Sequence, residues 1–91
     1  MSHIAADRPR LIARIRRIRG QIEAIERTLE GEAGCAEVLQ QVAAARGALN
    51  GLMDEIVAGH LREHVARPGL DDAARAAGAE ELLAVIRRYP R

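Results

Sequence analysis

The residues from Cys35 to His64, CAEVLQQVAAARGALNGLMDEIVAGHLREH, hold this chain to a narrow set of folds. They contain no Pro and consist mostly of good helix formers, so one long helix is expected. Val38, Leu39, Val42, Leu49, Leu52, Met53, Ile56 and Leu61 recur at three- and four-residue steps, an apolar stripe that something must cover. His60 and His64 are four apart, so both imidazoles leave the same face and are placed to grip one ion. Cys35 opens the same helix, roughly 37 Å away at about 1.5 Å per residue. Within one chain the thiol does not reach the imidazoles. A second copy of the helix laid antiparallel brings each thiol beside the other copy's histidine pair. The midpoint of that pairing falls near Gly47, Ala48 and Gly51, small residues that let two backbones approach. The expectation is a two-fold dimer with two sites, each shared between chains.

The flanking segments are read as helices too. Asp7 followed by Arg8-Pro9 resembles a helix start, with a capping carboxylate and Pro in the first turn. Residues 1–6, His3 among them, are then a short mobile arm. Leu11, Ile15, Ile18, Ile22, Ile25 and Leu29 alternate steps of four and three, a heptad seam along the first helix. Gly31 and Gly34 bracket its stop, and Gly34 lets the chain turn into the Cys35 helix. Arg67-Pro68-Gly69 ends the long helix. Asp71 and Asp72 look like caps for a third segment, weak through Gly78 and firmer from Glu80. The predicted architecture is all-α and short–long–short, one domain over 1–91. Two long and two first helices pair as an antiparallel four-helix bundle.

Composition supports association. Hydrophobic residues make up 48% of the 91, but the share leans on Ala, with no Trp or Phe and Tyr89 the only aromatic. A chain this short and this poor in bulky side chains buries a modest core alone, so an obligate oligomer is expected. The lone Cys35 builds no internal disulfide and points to a reducing compartment. The N-terminus has no secretory apolar region and no run is long enough to span a bilayer, which reads as a cytoplasmic protein.

Two constellations carry chemistry. The first is His3, Cys35, His60 and His64. A thiolate with three imidazoles suits Ni(II), Co(II) or Zn(II) better than Cu(I). A thiol at a helix start also sits near the positive dipole end, which favours the thiolate. The plainer alternative is a solvated helix end with an apolar Cys. The second is an arginine row. Arg10, Arg14 and Arg17 form one stripe with Gln21 below, Arg16 and Arg19 flank the seam, and acids begin only at Glu23. With a net charge of only +1, any affinity for nucleic acid comes from this uneven distribution. Arg46 adds a cation on the long helix. The competing reading is a solvated face. The lack of interleaved aromatics argues against base stacking and single-strand binding, and helix-turn-helix and zinc-finger spacings are missing.

Enzyme signals are poor. There is no Gly-rich phosphate loop, no GxSxG and no HExxH, and Glu63 points away from the histidine face.

Three segments carry a resemblance: RRIRGQIEAIERTLE, CAEVLQQVAAARGALNGLM and GHLREH. With these the chain resembles the CsoR/RcnR family of bacterial metal- and formaldehyde-responsive transcriptional repressors. The resemblance is weakest between Pro68 and Glu80. It implies an all-α antiparallel dimer assembled into a disc-shaped tetramer, whose apo form binds double-stranded operator DNA and represses an export or detoxification gene. It also implies four ligand positions, falling here on His3, Cys35, His60 and His64. Copper-sensing members carry Cys in place of His64. Formaldehyde-sensing members have Pro at the second residue, typically an acid in place of His64, and join their N-terminal amine to the Cys thiol. This chain has Ser2, whose primary amine is still a nucleophile. The His-Cys-His-His set matches the nickel/cobalt-sensing type, so Ni(II) or Co(II) is the expected effector, with Zn(II) and formaldehyde as alternatives. DNA contact transfers to Arg14 and Arg17, then to Arg46, Arg16 and Arg10.

Overall fold

The computed structural model describes residues 3–32 and 34–89, without the side chain of His3. Three helices follow in order: α1 (His3–Glu30), α2 (Cys35–His64) and α3 (Asp72–Arg88). The described residues include no strand. Two compact units divide the chain, one of Arg8–Leu52 and one of Met1–Asp7 with Met53–Arg91.

α2 has the expected bounds, but α1 starts four residues before Asp7 and carries Pro9 inside it. At 28 residues against 30 it is no short helix, so short–long–short becomes long–long–short. The reason is physical. A Pro in a helix removes one N–H and crowds the preceding turn, while its φ remains helical. Ala5 and Ala6, strong helix formers, extend the helix behind it. Residues 3–6, expected as an arm, are therefore helical, and the turn through Asp7 belongs to the unit that holds the end of α2.

In the Arg8–Leu52 unit the heptad seam divides in two. Leu11 and Ile18 are buried and Ile25 half-buried, each seven residues from the next. The alternate set, Ile15, Ile22 and Leu29, lies 45–64% exposed. One heptad position is covered within the chain and the other faces outward. On α2 only Ala45 is a buried apolar residue of this unit, while Leu39, Val42 and Leu49 remain exposed. Exposed apolar side chains therefore run along both helices of this unit.

The turn between α1 and α2 begins with the Gly31 N–H donating to the carbonyls of Arg27 and Thr28, both at 3.2 Å. Neither Gly31 nor Gly34 has a positive φ; among the described residues only Gly69 does, at 89°, in the turn after α2. That conformation suits Gly because it has no Cβ to clash.

The second unit is closed by its caps. Past His64, the Val65 and Ala66 N–H groups both donate to the Leu61 carbonyl, at 3.1 and 2.8 Å. Asp71 caps α3, accepting from the Ala74 N–H at 2.7 Å. The Arg75 guanidinium donates back to the Leu70 carbonyl at 3.2 Å and to that of Arg67 at 3.4 Å, tying the linker to α3. Gly78 is the buried residue of α3. A Cβ there would overlap the His64 carbonyl oxygen and stand 2.8 Å from its carbon. Only a glycine lets α3 cross the last turn of α2 this closely.

No helix among the described residues is long and apolar enough to cross a membrane.

Candidate metal and nucleic-acid sites

His60 and His64 come from the last turns of α2, with ring centroids 4.7 Å apart and planes tilted by 44°. Two imidazoles on one helix face at this spacing can converge on one ion, given Zn–N-type bonds of about 2.0–2.1 Å. α3 fixes the first of them. His60 Nε2 lies 3.0 Å from the Gly78 carbonyl oxygen. A carbonyl only accepts, so the ring nitrogen must donate, and the neutral ring then keeps its lone pair on Nδ1. Orientation of a histidine ring through its other nitrogen is the usual support for a metal ligand. The exposed Glu81 carboxylate is 3.8 Å from the same Nε2, an ion pair only when the ring is protonated. His60 and Glu81 also border a largely apolar cavity of about 340 Å³, walled by Met53, Ile56, Val57, Leu82 and Val85.

Cys35 is the first residue of α2, exposed and free. It belongs to the Arg8–Leu52 unit, whereas His60 and His64 belong to the other. His3 starts α1, and its side chain lies outside the described part of the structure. Among the described residues no three His, Cys, Asp or Glu side chains gather to hold an ion. Within its own unit the chain brings His60 and His64 together.

Sequence reasoning missed Gly78 and Glu81. The one available sign was a lone glycine inside the Ala-rich start of a helix, which costs about 1 kcal/mol relative to Ala unless packing requires it.

Of the arginines, Arg10, Arg16, Arg17 and Arg46 are exposed, while Arg14 is half-buried. Arg14 lies over α2 at Gly51, where an added Cβ would be 2.7 Å from its Nη2. Arg14, Arg17, Ile18, Gln21 and Ala48 line a cleft of about 170 Å³. Within the same unit, Gln21 Oε1 is buried without a hydrogen-bond partner. The sequence stripe of Arg14, Arg17 and Gln21 is therefore the rim of one cleft, with Arg14 folded against its second wall.

Residues 7–88 match the metal-sensitive transcriptional repressor family. The chain belongs to that family, one of regulators and not of enzymes. It is 45% identical over 89 residues to the transcriptional repressor RcnR of Salmonella arizonae, covering 98% of both chains. An uncharacterised protein encoded in the bioA 5′ region of Serratia marcescens is 49% identical over the same share. A solved Glu-to-His variant of the formaldehyde-responsive regulator FrmR from Salmonella enterica serovar Typhimurium has a TM-score of 0.84 and 45% identity. That match covers 92% of this chain and 94% of the other.

Proposed function

We propose that this chain is a nickel- or cobalt-responsive repressor that holds operator DNA in its metal-free form and lets go when the ion binds. The observation that carries the reading is the pair of imidazoles, His60 and His64, side by side at the end of α2, with His60 Nε2 held at the Gly78 carbonyl of α3. The RcnR relative supports it.

His60 and His64 of one chain would hold the ion with Cys35 of a second, antiparallel copy, and His3 would complete the set. Bound there, Ni(II) or Co(II) supplies up to six coordination positions, more than four-coordinate Zn(II), and so rewards extra nitrogen donors. The exposed rows Ile15, Ile22, Leu29 and Leu39, Val42, Leu49 are the apolar surface that pairing, as a dimer and then a tetramer, would cover. The opening turn of α1 shares a unit with His60 and His64, so drawing His3 toward them pulls on the helix that carries Arg14 and Arg17. Those two arginines, with Arg10, Arg16 and Arg46, would contact phosphates, and shifting α1 misaligns them. Linkage is reciprocal: DNA weakens metal binding by the same factor, typically about 1–3 kcal/mol.

The test is a gel shift of the purified protein on DNA upstream of its own gene. Nickel or cobalt is expected to release the duplex and formaldehyde to leave it bound. Release by formaldehyde alone would move the assignment to the alternative that the FrmR neighbour favours, with Cys35 and the amine of Ser2, a residue outside the described ones. Arg14→Ala is expected to weaken binding of the metal-free protein. It should also flatten log K against log salt by about 0.9 unit for each phosphate no longer neutralised. An unchanged slope would leave the arginine row as a solvated face.

A further inference from the structure

We propose that Gly51 is a positioning residue for DNA binding: its bare backbone on α2 is the seat on which the Arg14 guanidinium lies. The proposal rests on the reading of Arg14 as a phosphate contact. Three observations in the Arg8–Leu52 unit support it. A Cβ at Gly51 would stand 2.7 Å from Arg14 Nη2 and 3.5 Å from Cζ, so any side chain there displaces the guanidinium. Arg14 is half-buried, whereas Arg10, Arg16 and Arg17 on the same helix are exposed. Arg14 also lines a cleft with Arg17, Ile18 and Gln21 of its own helix and Ala48 of α2, so its side chain lies between the two helices.

The consequence is entropic. A long side chain that already lies in one place loses less rotamer freedom when it meets a phosphate, and ordering a free one costs affinity. Gly51 therefore acts through Arg14 and touches no DNA itself. The group most easily moved by a Cβ is the far end of a flexible arginine, so the helix backbone has no reason to shift.

The experiment measures operator affinity of the full chain for wild type, Gly51→Ala, Arg14→Ala, the double variant, and Gly20→Ala. Gly20 lies in the α1 interior with nothing within 4 Å of an added Cβ, so its variant should bind as wild type does. Gly51→Ala is expected to lose about three- to tenfold in affinity, the scale of freezing one such side chain. Its salt slope should not change, because no charge is removed. In the Arg14→Ala background the same substitution should have no further effect.

An equal loss in both backgrounds means that Gly51 serves packing between helices or copies, and overturns the proposal. So does full affinity in Gly51→Ala. If Arg14→Ala itself binds normally, the phosphate-contact reading fails first and takes this one with it. Should Gly51→Ala not fold, the wild type decides by nuclear magnetic resonance: a nuclear Overhauser effect between the Gly51 Hα protons and the Arg14 Hδ or Hε protons is expected, and its absence rejects the seat.

Discussion

Replacing His64 by Ala is expected to remove nickel-triggered release of operator DNA while the metal-free protein binds as before. Loss of an outer-sphere partner already costs a metal site about 10–100-fold, so losing a direct ligand should weaken the ion by at least about 100-fold. The substitution is structurally mild for a specific reason. The His64 atoms that would meet a Cβ at Gly78 are the carbonyl oxygen, the carbonyl carbon and Cβ, and alanine keeps all three. The α2–α3 crossing therefore survives. Nickel titration followed by gel shift checks both halves. A variant that still releases DNA at the wild-type nickel concentration would take His64 out of the ligand set.

Gly78→Ala should have the largest effect on stability. In an open helix position, Gly to Ala gains about 0.5–1 kcal/mol, which is what Gly20→Ala should show. At Gly78 the new methyl meets backbone, not a side-chain tip that can swing aside, and overpacking of that kind costs about 1–3 kcal/mol or more. The clash outweighs the propensity gain, and a net loss of about 2 kcal/mol corresponds to a fall of roughly 10 °C in melting temperature for a domain of this size. The Gly78 carbonyl moves with α3, so the His60 Nε2 hydrogen bond loosens and metal affinity falls with stability. Thermal unfolding of the two variants side by side is the measurement. If Gly78→Ala melts with or above wild type, the close crossing of α3 over His64 is wrong.

Much of the local structure is legible in the sequence, and the departures are instructive. α2 has its expected ends because Pro-free helix formers run from the Gly34-Cys35 junction to the turn before Pro68. Asp71 caps α3 as its side chain suggests, since a cap depends on an amide three residues away. The start of α1 differs from expectation because Pro9 reads as a first-turn residue. One missing N–H did not outweigh the helical preference of Ala5 and Ala6. The seam of α1 is visible as a period, but not its division into a covered row, Leu11, Ile18 and Ile25, and an open one, Ile15, Ile22 and Leu29. Both rows have the same spacing and nearly the same side chains. Only the neighbouring helix distinguishes them.

The same division applies to the sites. Which side chains have the chemistry for a borderline metal ion, or for phosphate, follows from residue type. Placing His60 and His64 on one face follows from a four-residue step, a distance the backbone sets by itself. What holds those residues in place does not follow. Gly78 beneath His64, the Gly78 carbonyl on His60, and Arg14 over Gly51 join positions 14, 18 and 37 residues apart in the chain. No propensity or period spans such gaps, because helix geometry is decided within four residues. Contacts between helices are decided by which faces meet, and that choice belongs to the packed chain as a whole.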